Sequence, residues 1–490
     1  MRGTWLRVMA VLVLGLILIL PDPSMADEKS LPDILKEKGI LTEEEYQEAK
    51  KAEEAQKPSP PAEKPAAQPI AGYKNGFFLQ TPDGTYKLTL TGYLRSQLRL
   101  YENNTSQDNE FKVRQTRVVI DGSYGKYWQS KVAAEFTTPS DGKFLKFAYL
   151  NCSYLPDLQL RAGQFKAPFA REYQVSEAEV DTAEWAMIVD SAGLNPKYDI
   201  GIMLHGPAVF NGLLSYGVGI FNGNYANNND TNDDKDLVAR AVLVPFAPTD
   251  IAALKGLEFG GSYETGRQTS DKLDALKFAP KLPTDWQFFK GVDTTGKVGD
   301  LTYRGQRDRY GLDLAYKVGP FKLQGEWIYQ RLERENQVRV NPGTNQIVSS
   351  GGKLIDAPDL IAWGWYILGT YFIWGNPDQG IQLVARYEQM DVDDEPASKK
   401  YREANPMPKN SVSNPYGNAL NLRGNTADVL TLGINYFPFR NVKLAFNWLY
   451  QTLDNPYTTD KIIHDHEGGE VVTAKGHAMN AFYLLAQVKW

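Results

Sequence analysis

The chain has 490 residues, a formal charge of -6 and a single cysteine, Cys152. One cysteine excludes an intramolecular disulfide framework and a cysteine-ligated metal cluster, and 53 basic against 59 acidic residues gives no footprint for nucleic acid. The length alone would suggest two or three domains, but abundant Gly and 12% aromatic residues argue otherwise.

The N-terminus reads as a secretory signal peptide over residues 1–26. Arg2 and Arg7 precede an apolar run, Val8 to Leu20, and Ser24-Met25-Ala26 forms a small-residue cleavage site before Asp27. Residues 27–57 form the one helical stretch, where Leu31, Ile34 and Leu35 have helical spacing and Thr42 with Glu45 makes a capping box. Two such short helices bury little alone, which leaves self-association and a loosely ordered appendage both open. Residues 58–75, rich in Pro and Ala, read as an extended linker.

From Tyr86 onward the period becomes two. Leu88, Leu90, Leu94, Leu98 and Leu100 alternate with Lys87, Thr89, Thr91, Arg95, Gln97 and Arg99, and about sixteen such segments follow one another to Trp490. None offers about twenty uninterrupted apolar residues, Ile361 to Trp374 being nearest, so no helical membrane span is expected. The segments near 111–122 and 143–154 have ambiguous phase. In the former, Arg114 and Arg117 fall on opposite faces of a regular strand. Connections alternate between tight turns, such as GSYG at 122–125 and GNPDQG at 375–380, and long polar stretches at 102–110, 138–142, 167–198, 223–235, 268–307, 335–360, 393–425 and 455–476.

Charged residues occupy the polar alternates of nearly every segment, too many for a dry core. Short turns at one end and long loops at the other then predict an all-β fold, a transmembrane antiparallel β-barrel of about sixteen strands over residues 76–490 with a short helical N-terminal periplasmic segment. An even strand count places both termini at the short-turn, periplasmic end. Tyr86, Tyr101, Trp327, Tyr329, Trp374, Trp448, Tyr450 and Trp490 suit interfacial girdles.

The stretch GQFKAPFARE (Gly163–Glu172) resembles the phosphate-selective porin O and P family. So do VRQTRVVIDGSYGKYWQSKVAAEF (Val113–Phe136), YDIGIMLHG (Tyr198–Gly206), LLSYGVGIFNG (Leu213–Gly223) and ARAVLVPF (Ala239–Phe246). The resemblance implies a homotrimeric outer-membrane channel whose third external loop folds into the pore. The alternation of connections independently makes 167–198 the third long loop. In the family's best-known members a lysine follows the GxF…F motif, with serines after it. Here Tyr173 stands at the lysine position, Ser176 matches a serine, and Glu177 lies beside it, so phosphate selectivity is not visibly encoded in this loop.

Candidate pore-lining and constriction residues are Arg95, Arg99, Lys131, Arg161, Lys166, Arg171, Tyr173, Glu177, Arg240 and Arg386. The expected lumen face also carries Lys87, Arg309, Lys317, Lys322, Lys443 and Lys489, against Glu135, Glu258, Glu264, Asp313, Glu326, Glu388 and Asp428. A basic wall opposite an acidic loop predicts a transverse field at the constriction. Trp185, Met187 and Ile188 are the expected anchors of the loop to the inner wall. No catalytic signature, cofactor motif or nucleic-acid patch is present, and His464-Asp465-His466 reads as a solvated loop rather than a metal site. The expectation is passive diffusion of small anionic solutes, phosphate or similar oxyanions included, across the outer membrane, with lipid around the barrel. A barrel sheathing a partner such as an electron-transfer conduit, and a structural or adhesion barrel, stay open.

Overall fold

In the computed structural model the described residues are 70–102, 108–137, 144–190, 194–230, 232–270, 303–333, 359–393, 426–454 and 478–490, with short strands in the loops and isolated residues elsewhere. The signal peptide, the linker to residue 69 and Glu45 of the capping box lie outside them. Lys36, Glu43, Tyr46, Gln47 and Lys51 are helical, and Tyr46 N–H donates to Thr42 O at 2.9 Å. The chain divides into Met1–Gln68 and Pro69–Trp490.

The second unit is a closed antiparallel barrel of sixteen strands. These are β1 (Tyr86–Tyr101), β2 (Glu110–Tyr124), β3 (Trp128–Glu135), β4 (Leu145–Leu155), β5 (Leu158–Lys166), β6 (Tyr198–Ala208), β7 (Leu214–Phe221) and β8 (Asp236–Leu243). The second half adds β9 (Leu257–Ser270), β10 (Tyr303–Val318), β11 (Phe321–Leu332), β12 (Leu360–Asn376), β13 (Gln379–Asp393), β14 (Thr426–Phe439), β15 (Val442–Asp454) and β16 (Ala478–Lys489). Each pairs with its neighbour in sequence, and β16 closes on β1 from Ala481↔Tyr101 to Lys489↔Tyr93. Gly92 and Trp490 then exchange backbone hydrogen bonds at 3.1 and 3.0 Å. Below that point a hairpin of Ile70–Tyr73 and Phe77–Gln80 takes over the same edge of β1, pairing Phe77↔Leu90 through Gln80↔Lys87. Closure gives each of the sixteen barrel strands a partner on both sides.

Alternation sets the two faces. Ile202, Val218, Leu312, Ile367, Ile434 and Leu484 point outward and are exposed, while Arg95, Arg99, Arg309, Arg386, Asn435 and Asn447 point inward and are buried. Two expected placements change. Tyr101 points inward, its hydroxyl 3.3 Å from that of Tyr483, and so belongs to no girdle. Asp428 points outward and accepts from Tyr387 Oη at 2.8 Å, because Ala427, Val429 and Thr431 take the inward positions of β14.

Among the described residues five register shifts break the period, one each in β12 and β14 and three in β2 and β4. Ser96 pairs with Val113 while Arg95 pairs with Gln115, leaving Arg114 as an extra residue in β2. Lys146 is similarly extra in β4, between the partners of Ala133 and Ala134, and β4 shifts again between Cys152 and Leu155. Such bulges bend a strand and re-aim its side chains. They are why β2 and β4 lack a single phase. The bulge also corrects the placement of Arg114 and Arg117: both reach carboxylates of the segment inside the barrel.

Among the long connections, Phe289–Gly291 pairs with Leu420–Leu422, Gln337–Val340 with Lys353–Asp356, and Asp460–His464 with Glu470–Ala474. Asp465 and His466 lie outside the described residues.

Candidate functional site

The connection between β5 and β6 lies inside the barrel. Lys166, the last residue of β5, turns it inward by donating Nζ to Tyr173 O at 2.5 Å and Val175 O at 2.6 Å. Ala170 takes a positive φ of 52°, and a single helical turn, α1 (Arg171–Gln174), follows. One turn cannot hold itself together in water, and its first N–H groups need acceptors. Glu326 of β11 supplies them, receiving Arg171 N–H at 2.5 Å and Glu172 N–H at 3.2 Å. A second turn, α2 (Met187–Asp190), begins the same way against Glu388 of β13, which accepts Met187 N–H at 2.5 Å. Wall carboxylates therefore do for both turns what an N-cap side chain does elsewhere.

Between the two turns the segment is tied down by ion pairs. Glu177 accepts from Arg117 at 2.8 Å, from Tyr93 Oη at 2.9 Å and from Gln115. Glu184 accepts from Arg99 at 2.7 Å, Gln97 at 2.9 Å and the Arg114 guanidinium at 2.9 and 3.0 Å. Asp181 receives Lys322 at 2.8 Å and Gln382 at 3.0 Å, and Glu179 receives Lys489 at 2.7 Å. Backbone carbonyls are met as well: Ala178 by Gln487, Val180 by Lys443, Asp181 by Asn435, Ala183 by Arg95, and Glu184 and Trp185 by Arg386. Trp185, Met187, Ile188 and Val189 pack with Ile328, Leu332, Ala362, Val392 and Val429 of the wall.

The sequence-derived candidates separate into groups. Arg95, Arg99 and Arg386, no more than 1% exposed, are engaged by the segment. Arg171 pairs with Glu258 at 2.7 Å, and Arg240 with Asp313 at 2.6 Å. Tyr173 is buried against Trp185 and Tyr198, with ring centroids at 5.3 and 5.7 Å. The Arg161 guanidinium lies over Tyr149 at 4.5 Å, away from the segment's carboxylates. Wall cations and loop anions are thus in contact rather than held apart across a gap, so the expected transverse field is largely cancelled where they meet.

Two adjoining cavities of about 730 and 440 Å³ open at the short-turn end, beneath the segment. Together they are lined by eight basic residues, Arg117, Lys131, Lys166, Lys317, Lys322, Arg440, Lys443 and Lys489, against three acidic ones, Glu179, Asp181 and Asp378. Of these, Lys131, Lys322 and Lys489 are each 30% exposed at the side chain and pair with Asp121, Asp181 and Glu179 at 3.2, 2.8 and 2.7 Å.

A family model described as phosphate-selective porin O and P matches residues 92–466. The chain belongs to that family. Among solved structures it is similar to the outer-membrane channel DcaP of Acinetobacter baumannii, at 12% identity over 86% of this chain and 100% of that one, with a TM-score of 0.49. It is also similar to OmpT of Vibrio cholerae, at 13% identity over 83% and 100% with a TM-score of 0.48. The anion-selective porin from Comamonas acidovorans matches at 12% identity, 83% and 100%, with a TM-score of 0.48. No curated protein sequence matches. The protein is an outer-membrane porin, and its polar interior is the lumen of a channel.

Within this porin the loop carboxylates differ in their proton affinity. Burial works to raise Glu177, but Arg117, Lys166, Arg114 and the Tyr93 hydroxyl outweigh it and hold the carboxyl at about 2. Glu172 moves the other way. Burial raises it to about 7 against the pull of Arg386, whose nearest nitrogen is 3.7 Å away, and its Oε1 accepts no hydrogen bond. Sequence reasoning missed Glu184, Arg114, Gln97 and Gln115 as site residues. The one available signal was the broken period of β2 around Arg114.

Proposed function

We propose that this porin passes small anionic solutes passively, as a homotrimer with its short-turn end in the periplasm, and that segment 167–198 sets the width of the passage. The observation that carries the anion preference is the vestibule lining of eight basic against three acidic residues. A cleft with one excess sign raises the local concentration of the opposite ion. The seated segment also speaks against a threaded partner. Its contacts run from Glu258 of β9 around to Arg117 of β2, across the space such a partner would need. Single-channel recording in asymmetric salt tests the reading. The reversal potential should favour the anion, and Lys131→Glu with Lys489→Glu should shift it toward the cation. Absence of conductance in refolded protein would refute the channel, and a cation preference in the wild type would refute the role of the vestibule.

A further inference from the structure

We propose that Gln97, Arg99 and Arg114 form a carboxylate-binding site on the lumen wall, held in this structure by the chain's own Glu184, and that a solute carboxylate binds by taking that glutamate's place. The inference rests on the channel reading and adds a ligand class and a site to it.

The donor set is built for a planar, two-oxygen anion. Glu184 Oε1 accepts from Arg99 Nη2 at 2.7 Å, Gln97 Nε2 at 2.9 Å and Arg114 Nε at 3.0 Å, while Oε2 accepts from Arg114 Nη2 at 2.9 Å. Arg114 grips both oxygens side-on, the fork geometry that matches guanidinium to carboxylate. It reaches the lumen only because β2 carries an extra residue there, and bulges that re-aim side chains are features rather than defects.

The occupant is held in a detachable way. Residues Asp181–Ala186 form no helix or strand and add nothing to the barrel ladder. Apart from Glu172, which accepts the Ala186 amide at 2.8 Å, their anchors are wall side chains, among them Lys322 and Gln382 to Asp181, Asn447 to the Ala183 amide at 2.7 Å, Arg95 to Ala183 O at 2.6 Å and Arg386 to Glu184 O at 3.0 Å. Water can replace each of these without any strand unpairing. Exchange of one carboxylate for another keeps both guanidinium groups paired. Emptying the site removes the shorter ion pair of Arg99, leaving Glu110 at 3.6 Å, which favours a competing anion over spontaneous opening.

The test uses the refolded full-length porin, succinate as probe and Glu184→Gln as perturbation. Titration calorimetry in detergent should show succinate half-saturating Glu184→Gln at a concentration at least about tenfold below that for wild type, since the competing charge is gone. Arg99→Gln in the same background should abolish the gain. Equal titration of Glu184→Gln and wild type, with heat-modifiable gel mobility showing a folded barrel, overturns the proposal. So does a gain that survives Arg99→Gln, or tighter binding of inorganic phosphate than of succinate. If Glu184→Gln fails to fold, Glu184→Asp replaces it, and a half-saturation identical to wild type overturns the proposal equally. Calorimetry needs no conductance. A barrel that gains succinate binding but passes no current refutes the channel alone, and one that conducts without the gain refutes this site alone.

Discussion

Replacing Glu177 by Gln keeps the shape of the side chain and removes its charge. The structure gives the size of the effect. Its carboxyl sits at about 2 against an ordinary 4.5, and each pKa step is worth about 1.4 kcal/mol, so the ionised group contributes about 3 kcal/mol to seating the segment. Because folding depresses this pKa, the contribution is complete above 4.5 and disappears as pH falls through 2. The loss is local, since no barrel ladder runs through residues 171–190. Hydrogen exchange read by mass spectrometry over this segment at pH 7 is the suitable assay, with the Ala183 and Ala186 amides as reporters; they donate to Asn447 and Glu172 at 2.7 and 2.8 Å. About 3 kcal/mol corresponds to roughly 100-fold faster exchange in Glu177→Gln, with the strands unchanged. Exchange equal to wild type would refute the account. So would wild-type protection that stays level as pH falls from 4.5 to 2.

Glu172→Gln should have the opposite pH signature. With its carboxyl raised to about 7, Glu172 stabilises the seat fully below 4.5 and loses that contribution as pH rises through 7, so wild-type protection should fall between about pH 4.5 and 7, level off above that, and the variant should not follow. Gly163→Ala should block assembly, costing about 3 kcal/mol or more, because φ is 128° and a Cβ would sit 2.2 Å from Ala148 O. Loss of the folded, heat-modifiable band on a gel checks it, and a normal yield would refute the close approach of β4 and β5. Deleting Trp490 removes two backbone hydrogen bonds to Gly92, each worth about 1 kcal/mol net, and should slow refolding while the remaining ladders still form. Refolding kinetics at the wild-type rate would show that the seam does not need its last residue.

Much of the barrel was legible because period two is enforced twice, by lipid outside and by water inside. The strand count followed from that period, and the third long connection from the alternation of short and long connections. β12 shows where it fails. Leu360 to Trp374 reads as nearly continuous apolar sequence because its inward Ala362, Tyr366 and Leu368 pack with the inserted segment while Ile361, Ile367 and Tyr371 face outward. The same signal recurs in Val384, Met390, Val392, Ala427 and Val429, inward positions where a water-filled lumen predicts polar residues. Apolar inward positions clustered on β11 to β14 therefore mark where a loop lies. The pairing of Glu177 and Glu184 was not legible. It depends on the bulge at Arg114 and on contacts between residues 60 to 88 positions apart, which no local pattern reports.

The closing seam has a kinetic meaning. Every other ladder of the barrel joins neighbouring strands, whereas Tyr101 must meet Ala481 across nearly the whole chain, so closure carries by far the largest loop entropy. The inserted segment has the same dependence. Its tethers include Asn435, Lys443, Asn447, Gln487 and Lys489, all on the last three strands to be made. Hairpins β1–β2 through β7–β8 can zip from local sequence, but residues 178–184 find their full set of partners only once β14 to β16 have arrived. Seating and closure thus draw on the same late material. The charge pairing at Glu177 and Glu184 belongs to the end of assembly, so salt and pH should act on the last folding phase and leave the early ones alone.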